Sequence, residues 1–206
     1  ASTEDWPPNK ETSPGAMGAL CGVDFERVPE RNPSFGRYTI RLRQTYVTRP
    51  RDKPSPTGFI AAGFFVTHSS FLKLVPFDPF MPFLFMGEEI ALSLRFWTSG
   101  FEIYTPSVDV IAHEYVRKHS MKFWESVQLT FGDGYLFNDL TNLTIQRVQH
   151  LVTFPEALHP EQVLPTEVLN RMDQYGPGTE RSIDDYLQHF GIDVEKKSQV
   201  VPKWCT

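Results

Sequence analysis

The sequence predicts an α/β domain, and three observations predict it. Residues 59–66, FIAAGFFV, form an apolar run flanked by turn formers, the signature of a buried strand. Residues 87–100 open on Gly87-Glu88-Glu89, carry Ile90, Leu94 and Trp97 at i, i+4 and i+7, and close on Gly100. That is an amphipathic helix with a glycine just past its end. Two short extended runs, 101–104 and 108–112, then return the chain to strand, and the second delivers His113 at its end. Strands alternating with helices make a mixed α/β architecture.

Composition bounds the rest. A chain of 206 residues suffices for one domain with a real core. Apolar residues at 40% and a mean hydropathy of −0.31 are those of a globular protein. A net charge of −5 argues against a nucleic-acid partner held through its phosphates. No apolar run reaches the roughly 18 residues of a membrane span. Seventeen phenylalanines and seventeen prolines point to an aromatic-rich core with long ordered loops. The two cysteines, Cys21 and Cys205, do not make a disulfide framework. They could pair, since both lie near chain ends, but the expectation is a reduced pair.

In chain order, residues 1–18 are rich in Pro, Ser, Thr, Glu and Gly and read as a loop with little structure of its own. Residues 27–53 hold eight basic side chains against two acidic ones. Ile40 and Leu42 alternate there with Arg41 and Arg43, which makes a strand with one basic face. Such a face is either a wall for a diphosphate or an acidic acceptor, or a solvated edge that blunts aggregation. After the central stretch 57–117 the chain turns helical, with helices expected over 122–137, 144–152 and 163–172. Ser182 to Asp185 reads as a capping start to a last helix, with Tyr186, Leu187 and Phe190 on its apolar face and Gly191 at its end.

Several residues could carry chemistry. His113, ending an apolar strand, could complete a metal site with carboxylates from elsewhere, or be a hydrogen-bonded structural histidine. A zinc-protease motif fails on spacing, because the position four after His113 is Arg117. Glu88 and Glu89 suit a helix N-terminus through the macrodipole alone. As neighbours about 100° apart on a helix they do not converge across one bond as a glycosidase pair must. Ala62 and Gly63 offer small side chains, either for tight packing or for close approach of a ligand to the backbone. The Arg117 guanidinium could clamp a diphosphate in bidentate fashion, or lie free on the surface. Trp97, Trp124 and the series Phe77, Phe80, Phe83, Phe85 read as core and loop anchors, and some of the loop phenylalanines could line an acceptor groove.

The blocks Ala61-Ala62-Gly63-Phe64, Gly87-Glu88-Glu89, Ser93-Leu94-Arg95-Phe96-Trp97 and His113, in that order, resemble the second half of a GT-A-type glycosyltransferase. They are similar to the mucin-type polypeptide N-acetylgalactosaminyltransferases. They look closer to the N-acetylglucosaminyltransferases that modify hydroxyproline on a cytoplasmic ubiquitin-ligase adaptor. The tail, Tyr175-Gly-Pro-Gly-Thr-Glu-Arg-Ser182 and Phe190-Gly-Ile-Asp193, resembles that second family as well.

The resemblance implies a GT-A-like fold and retaining transfer of N-acetylglucosamine from UDP-GlcNAc to a protein hydroxyl, hydroxyproline. It implies a manganese or magnesium ion with His113 as one ligand. Glu88, with Glu89 beside it, falls in the catalytic position, and Ala62, Gly63, Gly87, Trp97 and Arg117 fall among the substrate-binding positions. Arg117 stands four residues after the histidine, where the mucin-type enzymes have an arginine three after. The partners implied are a UDP-sugar donor and a protein acceptor, in the cytoplasm or the Golgi. An Asp-x-Asp motif is not found, since Asp184-Asp185 lies at a late helix start. The expectation is therefore a chain representing the C-terminal part of the domain: a flexible segment 1–20, then 21–206 with a core at 57–117 and a helical tail at 120–206. Transfer of another sugar or to a glycan acceptor, or a non-catalytic carbohydrate- or protein-binding role, stands as the alternative.

Overall fold

A computed structural model describes residues 3–5, 17–27, 38–47, 52–107, 110–113, 120–132, 135–159 and 163–205. The described residues mix helices with four two-stranded sheets, an α/β composition.

The longest strands are β2 (Met17–Arg27) and β3 (Tyr38–Val47), an antiparallel ribbon. Its register steps between Ala19 and Gly22, where one extra residue makes a bulge on β2. The alternation expected for 40–43 holds: Ile40 is fully buried, while Arg41 and Arg43 face outward. Those two arginines are not a free basic wall. Arg41 pairs with Asp24 and Glu26 at 3.5 and 3.1 Å, and Arg43 with Asp24 at 3.0 Å, all from β2. At such exposure each pair adds little stability, but the pairing leaves little charge to offer a ligand.

β1 (Thr3–Asp5) runs parallel to β6 (Ile111–His113), and β2 already begins at Met17, so the expectation of an unstructured start is wrong for residues 3–5 and 17–20. β4 (Ser55–Pro56) pairs with β5 (Tyr104–Thr105), and β7 (Ile192–Asp193) with β8 (Ser198–Gln199).

The run 59–66 is not a strand. Its first residues are buried, Phe59 and Ile60, but a turn follows at Ala62-Gly63 and Val66 is 82% exposed. Backbone donors that a sheet would use go elsewhere: the Ile60 amide donates to Ser93 Oγ at 2.8 Å, and the Ala62 amide to Glu89 Oε1 at 2.7 Å. The short helix α1 (Phe71–Leu74) and the proline-rich loop follow.

Helix α2 (Glu88–Thr98) is the centre of the molecule. Gly87 caps it in the left-handed region, with φ at 100°, and Gly100 just past its end has φ at 87°. A side chain at Gly87 would also press on Val148 Cγ1, 3.1 Å from a Cβ placed there. Ile90, Ala91 and Leu94 are fully buried in the main core with Ile40, Phe59, Val148, Phe154 and Tyr186. Ile60, Val75 and Phe96 form a second cluster with Phe65, Phe71 and Phe101.

The helical region departs from expectation at two places. The helix expected over 122–137 stops at Gly132, whose φ is 62°, so α3 (Phe123–Phe131) and α4 (Tyr135–Leu151) are separate. The helix expected over 163–172 is not one either. After α5 (Pro155–Leu158) come α6 (Thr166–Leu169) and α7 (Met172–Tyr175), divided by Arg171 at φ 51°.

The final helix α8 (Ile183–His189) is capped as expected: Ser182 Oγ accepts from the Asp185 amide at 3.0 Å, and Gly191 ends it at φ 62°. The cysteines correct the expectation of free thiols. Cys21 and Cys205 form a disulfide with Cα atoms 5.9 Å apart, fastening β2 to the C-terminal segment.

Candidate functional site

Between α2 and the loop that precedes it lies a cleft of about 260 Å³. Helix spacing builds one wall. Glu88, Glu89, Leu92 and Arg95 follow at i, i+1, i+4 and i+7 and so share one side of α2, opposite the Ile90–Leu94 core stripe. The loop supplies Phe77, Asp78 and Met81, and the turn after Ile60 supplies Ala62.

Glu88 is the unusual group. Its Oε2 is buried with no hydrogen-bond partner. Burial pushes its carboxyl up to about 7, against a partial opposing pull from its own backbone amide, and the neighbouring Glu89 charge adds to the rise. Such a carboxylate is half protonated near neutral pH, so it can accept a hydrogen bond from a hydroxyl or exchange a proton with it. Glu89 is also raised by burial, but the Ala62 amide hydrogen bond pulls it back, and that bond ties one of its oxygens to the opposite rim.

Under the cleft sits a buried charge cluster. Asp78 Oδ2 accepts from Arg147 Nε at 2.7 Å, and both side chains are completely shielded from solvent. Arg147 Nη1 donates to the carbonyls of Val168 and Asn170, and its guanidinium lies over the Phe80 ring at 5.1 Å. Arg95, 2% exposed, donates from Nε to the Gly176 carbonyl at 3.3 Å. Burial lowers the Arg95 pKa, Asp78 opposes that, and Arg147 adds to it.

The structure brings Ala62, Glu88 and Glu89 together at one cleft, with Gly87 as the cap that starts their helix. Gly63 sits at the adjoining turn, and nothing lies within 4 Å of where its Cβ would be, so packing does not require a glycine there. Trp97 is elsewhere. It packs between α2 and α8, 5.7 Å from the Tyr186 ring and 6.2 Å from Phe190, under the Arg181 guanidinium at 4.8 Å. Phe80 is a loop anchor, 5.8 Å from Tyr175, and Phe83 and Phe85 contact Phe131 and Phe123 of α3 at 4.9 and 5.1 Å. Of the loop series, Phe77 lines the cleft.

The backbone of His113 stands beside that of Asp5 in the parallel pair of β1 and β6. Its side chain, and Arg117 altogether, lie outside the described residues. Among the described residues no group of three potential ligands gathers into a metal centre.

Asp78 and Arg147 were not singled out from sequence. A signal did exist for Arg147. It shares a face of α4 with Thr144, Val148 and Leu151, and a lone cation within an apolar stripe is buried only with a partner.

A family model described as "GlcNAc: Glycosyltransferase (GlcNAc)" matches residues 16–196, a span that takes in β2 through β7. No curated protein and no solved structure matches the chain.

Proposed function

Since this chain belongs to the GlcNAc glycosyltransferase family, we propose that it takes part in retaining transfer of N-acetylglucosamine from UDP-GlcNAc to a protein hydroxyl, that of hydroxyproline, within a GT-A-like fold. The observation that carries the reading is the buried, unpartnered Glu88 oxygen facing a cleft in a chain of that family. A hydroxyl of the sugar or of the acceptor supplies the hydrogen bond that Oε2 lacks. At pH 7 the ionised fraction of Glu88 is large enough to accept it. Glu89, anchored through Ala62, holds the rim against α2 and keeps its second oxygen for the same hydroxyl-rich substrate. The cleft's apolar side, Phe77, Met81 and Leu92, suits the face of a sugar ring or a proline ring.

Manganese or magnesium, with His113 as one ligand, belongs to this proposal through the resemblance. Such a metal would neutralise charge on the departing diphosphate. Among the described residues no ligand set for it assembles.

The test is transfer of labelled GlcNAc to a hydroxyproline peptide, with manganese present, by the longest form of the protein that can be expressed. Glu88→Gln should cut turnover by on the order of a hundredfold without lowering the melting temperature, because it removes a positioned charge and leaves the packing. Turnover equal to wild type would return Glu88 to a helix-dipole role.

A further inference from the structure

The Asp78–Arg147 ion pair has no part in the binding or transfer proposed above, yet its side chains are fully buried and tie together three parts of the chain. Asp78 Oδ1 accepts from the Phe80 amide at 2.9 Å and its Oδ2 from Arg147 Nε at 2.7 Å, so the carboxylate ties its own loop and is in turn tied to α4. Arg147 Nη1 reaches the carbonyls of Val168 and Asn170, at 2.7 and 2.9 Å. Phe77, Asp78 and Met81, from this one loop, face Glu88 and Glu89 across the cleft.

We propose that Asp78 and Arg147 are positioning residues, which clamp the Phe77–Met81 wall over Glu88 and so keep bulk water from the carboxylate that receives the substrate hydroxyl. The consequence for turnover rests on the function proposed above, but the clamp itself does not. An ion pair without solvent exposure is a costly way to hold a loop, since apolar residues of similar volume often hold it as well or better. What the pair adds is direction: the carboxylate accepts from two donors and Arg147 Nη1 donates to two carbonyls, so they fix the loop in one position relative to α2.

The test reads the wall through Glu88. The charged groups lining the cleft with it are Glu89 and Arg95 from α2 and Asp78 from the loop. In the double variant Asp78→Leu/Arg147→Met the net charge beneath the cleft is unchanged, and stability should stay near wild type. Carbon-13 NMR of labelled glutamate, with the Glu88 signal assigned by its loss in Glu88→Gln, gives the titration midpoint without any turnover. Wild type should titrate near 7. With the clamp removed, the midpoint should fall by about a unit or more toward the ordinary carboxylate range as water enters.

A folded double variant with an unmoved midpoint would overturn the positioning role and leave the transferase reading intact. Should that variant not fold, Arg147→Lys decides. It keeps a cation for Asp78 but cannot hold both carbonyls as the guanidinium does, so the midpoint should fall below 7, and an unmoved midpoint would overturn the proposal.

Discussion

Glu88 holds its carboxylate where water reaches it poorly, and this has a thermodynamic consequence separate from catalysis. Its folded-state pKa is raised from 4.5 to about 7, with burial as the largest cause. Between those values the folded chain binds more protons at this site than the unfolded chain, so stability falls as pH rises through that window. The contribution is fully present below about 4.5 and lost by about 7. Because the group is partly exposed, the loss is on the order of 2 kcal/mol and not the full value of the shift. Glu88→Gln cannot ionise, so its melting temperature should decline less than that of wild type between pH 5 and pH 7.5. Parallel melting curves across that range would assign the carboxyl an ordinary pKa.

Among the elements, α2 shows how one helix serves two purposes. Its 90–94 stripe builds the core and its 88–95 face builds the cleft, and the left-handed Gly87 sets where both begin. Gly87→Ala should cost about 1–3 kcal/mol, from backbone strain at φ 100° and from contact with Val148 Cγ1. Chemical denaturation measures it. A loss below a few tenths of a kcal/mol would mean that the cap relaxes freely, and the placement of Glu88 would then not depend on it. The helix-breaking residues elsewhere, Gly132 and Arg171, do the reverse: each divides a helix expected as one into two by a positive φ.

For the whole molecule, the Cys21–Cys205 disulfide closes a loop of sequence separation 184, between a strand early in the chain and its last turn. Both cysteines are buried together with Ala19. Gln199 adds a second tie, accepting from the Val23 amide and donating to the carbonyls of Cys21 and Phe190. Since a cross-link over a long loop removes much unfolded-state entropy, Cys205→Ser should lower stability by about 2–4 kcal/mol. Equal urea midpoints for the variant and for the unreduced wild type would show that the cross-link contributes nothing.

What the sequence by itself determined was local. The α2 pattern, its glycine boundaries, the Arg41/Arg43 alternation and the Ser182 cap all rest on spacing and backbone preference within a turn or two, and the structure holds each of them. The blocks carrying the glycosyltransferase resemblance were legible in the same way, as short runs in order, and the family match agrees at the level of the family. Only the tertiary structure decided that, within residues 59–66, the Ile60 and Ala62 amides go to Ser93 and Glu89 instead of to a neighbouring strand. It also decided that the cysteines meet, that Trp97 turns toward α8 and away from the cleft, and that Arg147 finds Asp78 from 69 residues away. The physical reason is common to these. A buried donor, thiol or charge is satisfied by whatever partner the packed chain brings to it, and hydropathy periodicity carries no record of which distant residue that will be.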